Sequence, residues 1–144
     1  MPKVPAIVSA KRSDAIMLPL AAAQTFLTGA FVLRDGSGNI AECAADPAVI
    51  YGVSMEPALK EITDATKIIV QQATEIVRWW FPTNVAPTSA NSGVNYGITK
   101  GADGIWYVDF TKTAATARVY VHQIDTDTGR VEASVLAANR QSAP

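Results

Sequence analysis

His122 is the only histidine in the chain, and Cys43 the only cysteine. A general base needs a nucleophile and a group that orients it, and the residues around His122 declare neither. Cys43 is followed by Ala44 and Ala45, with no cation to hold a thiolate, so it reads as a small hydrophobe. Asp125-x-Asp127-x-Gly129 has the opening of a calcium loop. It lacks the further ligands and the closing bidentate glutamate that such a loop requires, so a β-turn accounts for it. Gly101 and Gly104 match no phosphate-binding pattern, and no helix follows them to hold an anion. No pair of carboxylates has the spacing of a glycosidase site. The remaining group is aromatic: Trp79-Trp80-Phe81, with Trp106-Tyr107 further on. Side chains of this kind serve as core or as a stacking surface. No catalytic residue, cofactor or metal is expected.

The elements that position these residues read as strands. From Thr25 to Pro57 the pattern is strand, turn, strand, loop, strand. Phe31 and Leu33 precede Asp35-Gly36-Ser37-Gly38-Asn39, and Ile40 follows it. Two glycines and two Asx residues tolerate the positive φ of a tight reversal. Ile50-Tyr51-Gly52-Val53 opens the third strand. Lys67 to Gln72 is the next. In Thr74 to Phe81, alternation sends Val77, Trp79 and Phe81 to one face and Ile76, Arg78 and Trp80 to the other. Val94 to Thr99 and Ile105 to Phe110 flank a glycine-containing turn and form a hairpin. Ala117 to Asp125 and Arg130 to Leu136 form another, with Val119, Val121, Val131, Ala133 and Val135 inward. Glu56 to Thr66 is a polar connection, with Pro57 placed to start one helical turn over Leu59 and Ile62. Pro82 to Gly93 is a long polar loop. The count is eight or nine short strands and no amphipathic helix. That is an all-β small barrel or sandwich. Three parts follow: an extended N-terminal arm over 1–24, a β-barrel domain over 25–136, and a polar C-terminal tail over 137–144.

With 144 residues the chain suits one domain. Charged residues make up 17%, below the roughly 25% of ordinary soluble domains, which suggests a surface partly covered by another chain. Twelve basic and thirteen acidic residues are dispersed without a basic stripe, so nucleic acid is not an expected partner. No apolar run approaches the length of a membrane span. Lys3, Lys11, Arg12, the apolar Ala15 to Leu20 and the small Ala21 to Ala23 imitate a signal peptide, but Asp14 and Pro19 interrupt it. The arm, with Pro2, Pro5 and Pro19 and the apolar Val4, Ile7 and Val8, needs a surface on which to dock.

The phrase TGAFVLRDGSGNIAECAADPAVIYGVS resembles the opening of the tailed-bacteriophage capsid cement, or head decoration, proteins. The matching parts are Gly29-Ala30-Phe31-Val32-Leu33, the turn Asp35 to Asn39, Cys43-Ala44 and Ile50-Tyr51-Gly52-Val53. Val94 to Ile98, Gly104 to Asp109 and Thr128-Gly129-Arg130-Val131 resemble the family's second half. The likeness covers Thr25 to Leu136 and is one of strands and turns. It implies a small β-barrel on the outer surface of an assembled head, a homotrimer that reinforces contacts between capsomers, with the major capsid protein as partner. Its place would be the virion, after synthesis in the host cytoplasm. No catalytic residue comes with the resemblance. The contact residues expected are Val4, Ile7, Val8, Lys11 and Arg12 in the arm, Arg140 in the tail, and Trp80 and Tyr107 on an aromatic face. The alternative is a carbohydrate-binding β-module that stacks sugars on Trp79, Trp80, Trp106 and Tyr107.

Overall fold

The structure, a computed structural model, describes residues 6–9, 15–58 and 67–141. The helical turn proposed over Leu59 and Ile62 lies outside them. The described residues are all-β: eleven strands in two antiparallel sheets, with short 3-10 turns between. The strands are β1 (Ala6–Ser9), β2 (Ala15–Pro19), β3 (Phe31–Arg34), β4 (Ile40–Glu42), β5 (Gly52–Ser54) and β6 (Lys67–Gln72). There follow β7 (Arg78–Pro82), β8 (Asn95–Lys100), β9 (Trp106–Asp109), β10 (Val119–Asp125) and β11 (Arg130–Val135). The nine strands read from the sequence are β3 to β11. The other two come from the N-terminal segment, where prolines obscure the pattern. Pro19 is tolerated because it ends β2, where the ladder needs no further donor.

One sheet has the order β1-β7-β11-β10-β8-β9, the other β2-β6-β5-β3-β4. Each closes at a corner just past a proline. Thr83, after Pro82 of β7, bridges Val108 of β9, and the Asn84 N–H donates to the Val108 carbonyl at 3.1 Å. Leu20, after Pro19 of β2, bridges Ile40 of β4, and the Ala21 N–H donates to the Ile40 carbonyl at 2.9 Å. This rolling gives the architecture its barrel-like character, and the core lies between the two sheets.

Aromatic rings join them. Phe31 of β3 stacks on Phe81 of β7 with centroids 5.0 Å apart, and meets Trp106 of β9 edge-on at 5.5 Å. Trp79 tilts against Phe81 at 5.9 Å. Val77, Trp79 and Phe81 are all buried, as their alternation requires. A polar latch adds to this: Glu42 of β4 accepts from Trp106 Nε1 at 3.0 Å and from Lys100 Nζ at 2.7 Å. The β3–β4 turn forms as its residues dictate. Asp35 Oδ1 accepts from the Ser37 and Asn39 N–H groups, and Gly38 takes φ +82°.

Gly52 has the least room for a side chain of the described glycines. A Cβ there would lie 2.1 Å from the Gln71 carbonyl oxygen on the paired strand β6. Gly52→Ala must therefore part β5 from β6. Such overpacking costs about 1–3 kcal/mol, and a urea denaturation midpoint is the measurement.

The C-terminal segment is tied down as far as Gln141. The Gln141 side-chain amide pairs with Arg34 as a peptide would: Oε1 accepts from the Arg34 N–H and Nε2 donates to the Arg34 carbonyl, both at 2.8 Å. Ile50 pairs in parallel with Arg140, and Asn139 Nδ2 donates to the Ala48 carbonyl. This stretch straps β11 to the loop before β5.

Candidate functional site

The first region to consider is the arm. β1 pairs antiparallel with β7, with Ala6 opposite Trp80, Ile7 opposite Trp79 and Ser9 opposite Arg78; the register shifts between Ile7 and Ser9. β2 pairs with β6 over five consecutive positions, Ala15 opposite Gln71 through Pro19 opposite Lys67. Ile16, Leu18 and Leu20 pack partly buried against the core, and Met17 projects outward, 59% exposed. The arm thus attaches by backbone ladders, one on each sheet. Among the expected contact residues, Ile7 and Val8 lie on β1, whereas Val4, Lys11 and Arg12 lie outside the described residues.

The second region is the outward face of β7, β11 and β10. Trp80 stands opposite Glu132, and Tyr120 opposite Ser134. The register of β10 against β11 shifts between Val121 and Gln123, so His122 is an extra residue in a bulge. A bulge re-aims a side chain. Here it brings His122 Nε2 within 2.8 Å of Ser134 Oγ. The Tyr120 ring meets the imidazole edge-on at 4.7 Å. Glu132 is almost fully buried on this face, and Arg78 Nη1 reaches its Oε1 at 2.9 Å. Burial holds the His122 imidazole below its ordinary pKa. Arg78 acts in the same direction, and Glu132 acts against both.

Chemically, this face supplies a hydroxyl, an imidazole, a guanidinium and two aromatic rings. The imidazole and serine have the separation of a base and its nucleophile. The carboxylate that would have to orient the imidazole is engaged by Arg78 instead, so the group reads as a rigid polar surface. Arg78, Glu132 and Ser134 are absent from the sequence-based expectation. Counting outward from the Asp125–Arg130 turn would have placed Ala133 opposite His122. Only the bulge brings Ser134 there, and no residue type announces it.

His122 gives this face a pH dependence. An imidazole whose folded pKa lies below its unfolded value of about 6.5 favours the neutral form in the native state. Its contribution is complete above about pH 6.5 and is lost as pH falls through the folded pKa. The urea midpoint of wild type, relative to His122→Gln, is therefore expected to fall between pH 7.5 and pH 5.

The remaining expected residues are dispersed. Tyr107 lies opposite Thr99 on β9, and its hydroxyl donates to Asp103 at 2.7 Å. Tyr107 pairs with Thr99 and Trp80 with Glu132, so the two are not cross-strand partners. Trp79 and Trp106 are buried, which leaves only Trp80 and Tyr107 of the proposed sugar platform toward the surface. The backbone of Arg140 is part of the C-terminal strap. Cys43 is buried and its thiol is pushed up to about 12, chiefly by burial, with Glu42 adding to the effect. Asp125 Oδ1 accepts from the Asp127 and Thr128 N–H groups, the turn expected in place of a calcium loop. Among the described residues no group of three or more His, Cys, Asp or Glu is placed to hold a metal ion, and no helix is long and apolar enough to cross a membrane.

Neither family models nor curated proteins give a match to this chain.

Proposed function

We propose that the protein is a structural decoration protein of a tailed-phage head. It binds the outer capsid surface, has the major capsid protein as partner, and stabilises contacts between capsomers as a homotrimer. The observation that carries the reading is the attachment of the N-terminal segment. Its two strands join different sheets, each along a main-chain ladder. Strand addition is a general way for one chain to hold another. The resemblance of residues 25–136 to head decoration proteins supports the same reading, as does the low share of charged residues. A repeated shell presents many equivalent sites, so modest contacts sum by multivalency.

The test is deletion of residues 1–14. The truncated protein keeps β2 and every strand after it, so its near-ultraviolet circular dichroism should match the full chain. Its binding to purified heads in a sedimentation assay is expected to be lost. Full occupancy by the truncated protein would overturn the reading.

A further inference from the structure

β1 stands apart from the rest of the topology. The run β7-β11-β10-β8-β9 closes on itself through the Thr83–Val108 bridge, and β2-β6-β5-β3-β4 through the Leu20–Ile40 bridge. β1 is outside both closures, added as a sixth strand along the outer edge of β7. Its attachment is short. Three residue pairs join it to β7 with a register shift among them, against five uninterrupted pairs for β2 on β6. Five residues separate Ser9 from Ala15 in the chain, a reach of about 20 Å when extended.

We propose that the outer edge of β7 is a strand-acceptor site and that its occupant in the assembled protein is β1 of a second copy. The complementarity is already built: Ala6 meets Trp80, Ile7 meets Trp79 and Ser9 meets Arg78 whichever copy supplies β1. A strand of unrelated sequence would have to create its own register. β1 pairs only with β7, so β2 and the strands after it keep their own pairings when it leaves. Exchange of identical elements is a low-cost route to oligomers. The ladder formed is the same within a copy or between copies, so the choice depends on local concentration. A short connection gives the intramolecular partner an effective concentration of order mM. Copies held side by side on a shell compete at that level. The shell rests on the function proposed above; the acceptor edge does not.

Two single-cysteine proteins test the exchange, both carrying Cys43→Ala. One has Ala6→Cys on the donor strand, the other Trp80→Cys on the acceptor strand. They are mixed at about 1 mM, the level at which exchange competes with self-pairing, and mildly oxidised. Exchange predicts a covalent heterodimer well above that formed by a control mixture of Met17→Cys and Ile69→Cys proteins, whose positions face each other across β2 and β6. A heterodimer no more abundant than in the control overturns the proposal. Trp80→Cys could disturb the fold, so light scattering of the otherwise unmodified chain lacking residues 1–9 gives a second reading. At the same concentration of about 1 mM its mass is expected to be that of a monomer and the full-length chain's to be larger; a full-length chain that is monomeric there, or an oligomer that survives the deletion, overturns exchange. The same mixtures on purified heads separate the two proposals. Decoration without heterodimer removes exchange and leaves head binding standing. Heterodimer without decoration does the reverse.

Discussion

Trp79→Ala is expected to cost about 3–5 kcal/mol. A domain of this size has roughly 5–15 kcal/mol in all, so the variant should be partly unfolded at 37 °C. Trp79 has no exposed surface and sits beside Phe81, which stacks on Phe31 of the other sheet. Removing its ring leaves a cavity where the two sheets meet. The neighbours cannot close that cavity without breaking the β7–β11 register that pairs Trp79 with Ala133. One feature lowers the cost: among the described residues the indole N–H has no hydrogen-bond partner. A buried donor left unpaired is itself unfavourable. Trp79→Phe removes that donor and keeps most of the ring, so it is expected to cost less than about 1.5 kcal/mol. Urea denaturation of the two variants checks both values. A Trp79→Phe loss as large as that of Trp79→Ala would mean that the indole nitrogen is satisfied and essential.

Trp79 was legible because a strand's side chains alternate. Val77, Trp79 and Phe81 repeat at the period of two, and the same rule gave the inward faces of β10 and β11. The β3–β4 hairpin was legible from its Asx and glycine residues. What escaped is instructive in physical terms. β1 and β2 are held by main-chain pairing to strands far along the chain, and neither carries the alternation that marks a strand beside prolines. The strap at Gln141 depends on a side-chain amide imitating a peptide, which glutamine does only where an open backbone edge awaits it. The His122–Ser134 contact depends on a one-residue bulge, and a shift of one residue changes which side chains face each other. Arg78 and Glu132 are 54 residues apart, and their meeting requires the β7–β11 register. Local pattern fixes strands and turns. Contacts across distant strands also need the register, which no short stretch contains.

That distant pair yields the second large effect. Arg78→Ala is expected to destabilise the protein by about 3 kcal/mol, because it leaves the Glu132 carboxylate buried without its cation. The two residues are not equivalent. The Glu132 side chain is 3% exposed and that of Arg78 is 38% exposed. Loss of the glutamate lets the guanidinium turn to water, whereas loss of the arginine gives the carboxylate no such exit. Glu132→Leu should therefore cost about 1 kcal/mol, clearly less than Arg78→Ala. The double replacement Arg78→Met with Glu132→Leu should lie close to wild type, since an apolar pair of similar volume carries no desolvation cost. With Arg78→Met measured as the matching single variant, the double-mutant cycle gives a coupling energy well above the 0.2–1 kcal/mol typical of exposed ion pairs. Equal losses for the two single variants would mean that water reaches Glu132. The outward face of β7, β11 and β10 would then be an ordinary hydrated surface. An asymmetric result makes it a dry, preorganised one, with His122, Ser134 and Tyr120 held around a buried charge beside the edge to which β1 attaches.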